Sequence, residues 1–278
     1  MSALATDGAQ PLGAIELTPV RVLQPAAPRW PALIVCDHAS NKIPAPLGHL
    51  GLPRTDLERH IAWDIGAAAL ALSLAQRLQL PCVQSGYSRL VIDCNRSLDD
   101  PSSILTHSDG TDIPGNRNLS DAERQLRAAL IFEPYHAAIE REMTRLAAGG
   151  AVTPALIAVH SFTPVLAGRE RPWHCGVLWD TDGRIALPLL AALRRDPNLQ
   201  VGDNEPYSGR HPSDYTVAVH AERFGRPHVC IEVRQDLLLD DAGVDGWSQR
   251  LAEALAAVLS DDSLYRRGPA HTAAREMG

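Results

Sequence analysis

The sequence predicts an α/β fold with a mainly parallel or mixed central sheet and helices on both faces of that sheet. Short apolar runs of strand length recur along the 278 residues, and Ala/Leu-rich helical segments separate them. Hydrophobic residues make up 45% and charged residues 21%, which is typical of a globular chain with a sizeable core. Strands that alternate with helices favour a sheet covered on both faces. We expect one domain at residues 29–265, with an irregular leader at 1–28 and a flexible tail at 266–278.

The strand candidates are short apolar runs, as expected of strands that are buried on both faces. They lie at residues 31–36, 82–84, 90–94, 155–161, 175–180 and 228–238. Helices are predicted at residues 63–78, 186–195 and 247–260. A fourth helix is predicted from a capping box at Ser120 toward Leu146, and Pro134 predicts a kink or a break near Glu133. Residues 97–118 are rich in Gly, Pro, Asp and Ser and are predicted to form a long loop.

The charge balance argues against several classes of function. A formal net charge of -7 and a pI near 5.9 are unlike a protein that binds nucleic acid or anionic membranes through a basic surface. Apolar runs stay below the roughly 18 to 20 residues that a membrane span needs. The first residues, MSALATDGAQ, lack the basic and apolar regions of a signal peptide. We therefore expect a cytoplasmic monomer or small homo-oligomer that binds a small molecule.

Three predicted strands lead into residues that bind metals or transfer protons. The run ALIVC is followed by Asp37 and His38. The run ALIAV is followed by His160 and Ser161, and VCI by Glu232. Ligands of open α/β sheets bind beyond the carboxyl ends of the strands, so these side chains are expected to meet. One histidine after a strand is more often a structural residue, but two in equivalent positions favour zinc, which imidazoles and a carboxylate typically hold.

The residues alone leave the third metal ligand open between Asp64 and Asn41. Asp64 lies at the start of the helix after the first strand and would face the same edge, although it could instead interact with the helix dipole. Asn41 has a suitable spacing from His38, but a neutral amide is a poor zinc ligand. Asp37 is expected to orient a neighbouring ligand.

Glu232 lies in an apolar run, where an ionised carboxylate is costly. Desolvation there would raise its pKa, which suits a general base that takes a proton from water and later donates it to a leaving amine. The alternative is a buried ion pair with Arg234 or another arginine.

The run SRLVIDCNR places charged residues on and after a predicted strand. By alternation, Arg89, Asp93 and Asn95 would share one face, and Arg96 would point to the other. Guanidinium groups near strand ends are natural clamps for substrate carboxylates. An ion-paired strand end is the alternative interpretation.

Taken in order, several segments resemble the N-formylglutamate amidohydrolase family over about residues 33–259. These segments are VCDHASNKIP, HIAWDIGA, SRLVIDCNR, LSDAERQLR with PYH, AVHSFTP, NEPYSG with DYTVAVHAE, and PHVCIEVRQDLL. The resemblance implies a phosphorylase/hydrolase-like α/β fold, similar to that of zinc amidases and carboxypeptidases.

The resemblance also implies roles for the marked residues. In those enzymes a histidine, a following acidic residue and a later histidine hold the metal, and a late glutamate is the catalyst. The order implies that His38, Asp64 and His160 bind one zinc or other divalent ion and that Glu232 is catalytic. Asp64 departs from the glutamate that relatives often have at this point.

The implied reaction is hydrolysis of a linear amide in histidine degradation, in which N-formyl-L-glutamate gives formate and L-glutamate. By analogy, Arg89 would stabilise the developing oxyanion and Arg96 would bind a substrate carboxylate. The further substrate-binding candidates are Asn41, Asn95, Ser161, Tyr215, Thr216 and His220. Two alternatives stay open: a zinc amidase or deacylase for another N-acyl amino acid or short peptide, and a non-catalytic protein that binds acidic metabolites.

Overall fold

A seven-stranded mixed sheet forms the centre of the computed structural model, which describes residues 18–210 and 214–266. The strands are β1 (Val20–Leu23), β2 (Ala32–Cys36), β3 (Cys82–Ser85), β4 (His107–Ser108), β5 (Thr111–Asp112), β6 (Ala155–Phe162), β7 (Val165–Leu166), β8 (Arg169–Glu170), β9 (Cys175–Leu178), β10 (Val201–Asp203) and β11 (His228–Arg234). The central sheet has the order β1-β3-β2-β6-β11-β9-β10. The pairs β4-β5 and β7-β8 form two small hairpins.

The centre of the sheet is parallel. Strands β3, β2, β6 and β11 run in one direction, whereas β1 is antiparallel to β3 and β9 is antiparallel to β11. The carboxyl ends of the parallel strands therefore meet at one edge, where α/β sheets commonly bind ligands. The predicted α/β fold with a mainly parallel or mixed sheet is confirmed.

Helices cover both faces of the sheet. They are α1 (Arg54–Leu57), α2 (Ala67–Leu78), α3 (Asp121–Arg127), α4 (Glu133–Leu146), α5 (Ala186–Leu193), α6 (Thr216–His220) and α7 (Asp241–Leu259). Successive side chains of β2 divide between two cores, as the alternation of a strand requires. Ala32, Ile34 and Cys36 share a core with α2, α5 and α7, and Leu33 and Val35 share the other with α4. Within the described ranges, no helix has both the length and the apolar character to cross a bilayer.

Residues 90–94 form turns instead of the predicted strand. Strand β3 is already paired on both sides, by β1 and β2, so the sheet has no open position beside it. The carbonyl oxygens of Leu90 and Val91 accept hydrogen bonds from the side chains of Asn116 and Arg127, at 2.8 and 2.9 Å. Side-chain donors thus replace a neighbouring strand.

The part of the leader that the structure describes contains strand β1. Val20 lies opposite Ser85 in the antiparallel register with β3. Four residues are too short to show a periodicity in the sequence, so this edge strand was not predicted. Residues 1–17 of the leader and residues 267–278 of the tail lie outside the described residues. The domain limits stay a prediction.

The helix after the long loop begins as predicted. The hydroxyl of Ser120 accepts from the backbone of Glu123, and the Glu123 carboxylate accepts from the Ser120 N–H at 2.8 Å. The expected break near Pro134 is a π-helical turn at Ala128–Phe132, after which α4 begins with Pro134 in its first turn.

Gly66 shapes the turn that brings Asp64 to the edge of the sheet. Its φ is +82°, and an added Cβ would lie 2.4 Å from Cβ of Leu238. We expect Gly66→Ala to lower the free energy of unfolding by about 2 kcal/mol or more, because alanine disfavours this φ and overpacks the contact. Urea unfolding measures the change. Gly246→Ala in α7 is the control, since its added Cβ meets no atom within 4 Å, and an equal loss in both variants would contradict the prediction.

Candidate metal centre and active site

Two histidines and an aspartate converge at the carboxyl edge of the sheet. His38 lies just beyond β2, and His160 lies within the neighbouring parallel strand β6. Asp64 lies in the turn before α2, where its N–H donates to the carbonyl oxygen of His38 at 3.0 Å. The Oδ2 atom of Asp64 is 3.3 Å from Nδ1 of His38 and 2.8 Å from Nδ1 of His160. All three side chains are buried.

The Nε2 atom of each histidine lies close to a second carboxylate. Nε2 of His38 is 2.8 Å from Oδ1 of Asp93, and Nε2 of His160 is 3.1 Å from Oδ2 of Asp37. Asp37, which the sequence predicts to orient a neighbouring ligand, thus lies beside His160. A carboxylate at Nε2 fixes the ring and favours the tautomer in which Nδ1 is free to bind a metal.

Burial and neighbouring charges act in opposite directions on these groups. Burial lowers the pKa of His160, but its interactions with Asp37 and Asp64 outweigh burial and raise the pKa well above its ordinary value. Burial raises the pKa of Asp37, but His160 lowers it to about 2. The pKa of Asp64 is likewise lowered, because His38 and His160 outweigh burial. The carboxylates therefore stay ionised and attract positive charge to the imidazoles.

The group fits a divalent metal ion. One ligand atom from each of His38, Asp64 and His160 lies within 4.8 Å of the others. Two imidazoles and one carboxylate are a known zinc donor set that leaves a position for water. Metal binding requires neutral imidazoles, so a cation would replace the protons that the carboxylates otherwise hold on the histidines.

Glu232 lies beside this group on the next strand. The parallel register of β6 and β11 places it opposite His160. Its side chain is buried, and Oε2 has no hydrogen-bond partner among the described residues. Burial raises the pKa of Glu232 to about 8, although the charge of His160 opposes the shift. The alternative ion pair with Arg234 is not observed, because Arg234 pairs with Asp236 at 2.8 Å.

Arg89 contacts both the candidate metal group and its supporting carboxylate. Its Nη2 and Nε donate to Oδ2 of Asp93 at 2.7 and 3.1 Å. Its Nη1 lies 3.5 Å from Oδ1 of Asp64. The guanidinium also lines a cavity next to the two histidines, and 24% of the side chain is exposed. Arg89 is thus ion-paired with Asp93 and Asp64, and it also borders the cavity.

A cavity of about 490 Å³ adjoins the histidines, Asp64, Arg89 and Glu232. This volume suits a small amino-acid derivative. Its walls also include Asn95, Arg96, Ser161, Tyr207, Ser208 and Asp214. A groove of about 540 Å³ between α5 and α7 is slightly larger, but its described lining contains no histidine or cysteine. Of these two cavities, the one lined by the two histidines and the buried Glu232 is therefore the candidate active site.

Three of the predicted substrate-binding residues line this cavity. Nη1 of Arg96 is 3.1 Å from Oδ1 of Asp214. Asn95 uses its Oδ1 to accept from the backbone N–H groups of residues 215–216, each at 2.9 Å. Ser161 donates its hydroxyl to a carbonyl oxygen of the turn before α2 at 2.7 Å. Each of these side chains is held by protein partners and also borders the cavity.

Asn41 does not join the candidate metal group. Its side-chain amide donates to the carbonyl oxygen of Leu57 at 3.0 Å. It borders a separate depression with Ile43 and Pro44. The structure therefore brings Asp64, and not Asn41, to the two histidines.

Tyr215, Thr216 and His220 lie behind the cavity wall. Thr216 is fully buried and donates to Oδ1 of Asp37 at 2.6 Å. It thus holds the carboxylate that pairs with His160. Nε2 of His220 is 2.9 Å from Nδ1 of His136. The ring of Tyr215 packs against His136 with centroids 5.0 Å apart. None of these three residues is among those that line the cavity, and their contact with substrate stays a prediction.

Several residues of the site were not assigned a role from the sequence. Tyr207, Ser208 and Asp214 follow β10 in an irregular segment and line the cavity. Irregular segments have no periodicity that reveals which side chains share a face. The sequence pattern places Asp93 only on one face with Arg89 and Asn95, and the contact of Asp93 with His38 depends on the turns at residues 90–94.

An α/β sheet that brings a candidate metal group, a buried glutamate and an arginine to one cavity has the groups that metal-assisted hydrolysis requires. The chain belongs to the N-formylglutamate amidohydrolase family, because residues 30–239 match the model of that family. The resemblance and the hydrolase class predicted from the sequence are thus confirmed.

Solved structures of similar proteins share this fold. A gene product of Agrobacterium tumefaciens is 36% identical, with a TM-score of 0.82 and coverage of 87% of this chain and 95% of its own. The N-formylglutamate amidohydrolase of Ralstonia eutropha is 19% identical, with a TM-score of 0.70 and coverage of 87% of this chain and 97% of its own. No curated protein matches the chain in sequence.

Proposed function

We propose that the protein hydrolyses N-formyl-L-glutamate to formate and L-glutamate with one divalent metal ion, zinc being the first choice. One observation carries the proposal: a buried His–Asp–His ligand set and the unpartnered carboxyl of Glu232 border the same cavity. Membership of the amidohydrolase family supports an amide bond as the target.

His38, Asp64 and His160 would hold the metal ion. When bound, such an ion acts as a Lewis acid and lowers the pKa of water toward neutrality. Asp93 and Asp37 keep the two imidazoles oriented through their Nε2 atoms. Asp64 remains a charged ligand at neutral pH because its pKa is lowered.

Glu232 is the proposed general base and acid. It takes a proton from the water that attacks the formyl carbon, and it returns this proton to the amide nitrogen as the C–N bond breaks. Formate and a free amine then leave. A pKa raised by burial to about 8 supports both transfers, since the carboxyl exchanges protons near neutral pH. Nη1 of Arg89 would stabilise the negative charge that develops on the carbonyl oxygen.

Arg96 is the proposed partner of the substrate α-carboxylate. Asp214 holds its guanidinium at the cavity wall. Asn95 and Ser161 would complete the polar lining around the bound substrate. A cytoplasmic location and a role in histidine degradation belong to the same proposal.

Formate or acetate release by the metal-loaded protein tests the proposal. The substrates are N-formyl-L-glutamate, N-formyl-L-aspartate and N-acetyl-L-glutamate. We expect the highest kcat/KM with the first, by about 10-fold or more, because one methylene group in a fitted pocket changes discrimination by that factor. Faster release of acetate would instead favour a deacylase. Tight binding of all three without turnover would favour a non-catalytic protein.

A further inference from the structure

Arg171 is a buried guanidinium with no carboxylate partner in the part of the chain that the structure describes. Only 9% of the residue is exposed. Its side chain makes one hydrogen bond with the described residues, from Nη1 to the hydroxyl oxygen of Tyr207 at 2.8 Å. Its Cζ atom lies 4.7 Å from the ring centroid of Tyr207 and 5.9 Å from that of Phe162. A largely buried guanidinium without an opposite charge is costly, so this position favours an anion beside Arg171.

The arginines that line the cavity differ from Arg171 in this respect. Nη2 of Arg89 donates to Asp93 at 2.7 Å, and Nη1 of Arg96 donates to Asp214 at 3.1 Å. Carboxylates of the protein therefore already balance their charge. Arg171 contributes positive charge that the described residues around it leave uncompensated.

Tyr207 connects Arg171 to the cavity. Its side chain lines the cavity wall, and 41% of the residue is exposed. The hydroxyl oxygen accepts from Arg171, so the hydroxyl proton points away from the guanidinium. This proton has no acceptor among the described residues. Burial and the nearby Glu232 raise the pKa of Tyr207, so the hydroxyl keeps its proton. Tyr207 thus presents a free donor with a positive charge behind it.

The backbone places this pair next to the proposed metal ligands. Arg171 follows the hairpin β7-β8, and its N–H donates to the carbonyl oxygen of Pro164 at 2.8 Å. Phe162, which packs against its guanidinium, ends the same strand that carries His160. The position of Arg171 is therefore coupled to the strand that forms the site.

We propose that Tyr207 and Arg171 form a subsite for the side-chain carboxylate of the substrate. This inference rests on the proposed function, in which Arg96 takes the α-carboxylate. A substrate with two carboxylates favours two positive charges at the site: Arg96 lines the cavity, and Arg171 supplies the second charge from behind Tyr207. The subsite would select N-acyl amino acids with an acidic side chain over the neutral amide of the same shape.

Kinetics of two variants with a charged and a neutral substrate test the subsite. Arg171→Met keeps an apolar stem but removes the charge, and Tyr207→Phe keeps the ring but removes the donor. We expect kcat/KM for N-formyl-L-glutamate to fall about 30-fold in Arg171→Met and about 10-fold in Tyr207→Phe, mainly through KM, as for the loss of a hydrogen bond to a charged group. For N-formyl-L-glutamine, the values should stay within about threefold of the wild type.

A matched control is Arg29→Met, because Arg29 also stacks on an aromatic ring, with Cζ 4.4 Å from the centroid of Trp30. Arg29 precedes β2 and so lies at the edge of the sheet opposite the cavity. We expect wild-type kinetics with both substrates. Equal losses for the charged and the neutral substrate in both Arg171→Met and Tyr207→Phe would overturn the subsite and leave Arg171 a structural role.

Binding by calorimetry separates this inference from the proposed function. If the wild type releases no formate, the proposed function fails, and the subsite is then judged from the binding of L-glutamate and L-glutamine to the metal-loaded protein. We expect the wild type to prefer L-glutamate by about 10-fold or more and Arg171→Met to lose that preference. The same preference in both proteins would overturn the subsite.

Discussion

Replacing Glu232 by glutamine is expected to lower kcat for N-formyl-L-glutamate by about 10³-fold, the range of a lost general base. Glutamine keeps the shape of the side chain but cannot take a proton from water or return it to the amide nitrogen. Glu232 lies outside the ligand group of His38, Asp64 and His160, so the variant should still bind one metal ion. Its KM should change far less than its kcat, because the substrate contacts remain.

Steady-state formate release, with metal content measured on the same samples, checks this prediction. Glu253→Gln on the exposed side of α7 is the control and should retain the wild-type kcat. A Glu232→Gln variant that keeps full turnover would refute the assigned base. A variant that loses its metal together with its activity would instead move Glu232 into the metal site.

Replacing Asp64 by asparagine is expected to weaken metal binding by about 100-fold or more. Loss of a carboxylate that only orients a ligand already weakens binding by up to about 100-fold, and Asp64 is itself a proposed ligand. Oδ2 of Asp64 is the atom on which Nδ1 of both histidines converge. Asparagine has nearly the same size but removes the negative charge that the cation and the imidazoles require. Activity at limiting metal should fall in proportion to the metal bound.

Competition with a chelating dye measures the affinity of this variant. Asp56→Asn is the control, because Asp56 makes only a partly exposed pair with Arg59 at 3.2 Å. Affinity equal to the wild type in Asp64→Asn would show that the third ligand lies elsewhere. If excess metal restores the wild-type kcat, Asp64 serves affinity alone.

The sequence predicts the site residues best where polar residues lie at the carboxyl ends of buried strands. His38, His160 and Glu232 each belong to or follow an apolar run, and parallel strands with adjacent positions bring their ends together. Asp64 was recognisable because a helix start after the first strand faces the same edge. Such local patterns can be recognised in the sequence without knowledge of the tertiary contacts.

Other features depend on contacts between distant segments. Residues 90–94 have the composition of a strand, but β1 occupies the position beside β3 that such a strand would need. The subsite of Tyr207 and Arg171 joins two irregular segments that are separated by 36 positions in the chain. Thr216 was expected at the substrate, yet its hydroxyl bonds Asp37 behind the cavity wall. Loop side chains have no periodicity from which such orientations follow.

Metal titration of the stripped protein tests the central claim most directly. The protein is freed of metal with a chelator, zinc is added in small steps, and formate release from N-formyl-L-glutamate is recorded at each step. We predict negligible formate release without metal. The rate should rise linearly to a plateau at about one equivalent of zinc, as expected for tight binding to a single site. Full activity in the metal-free protein would contradict the claim that His38, Asp64 and His160 hold a catalytic metal ion.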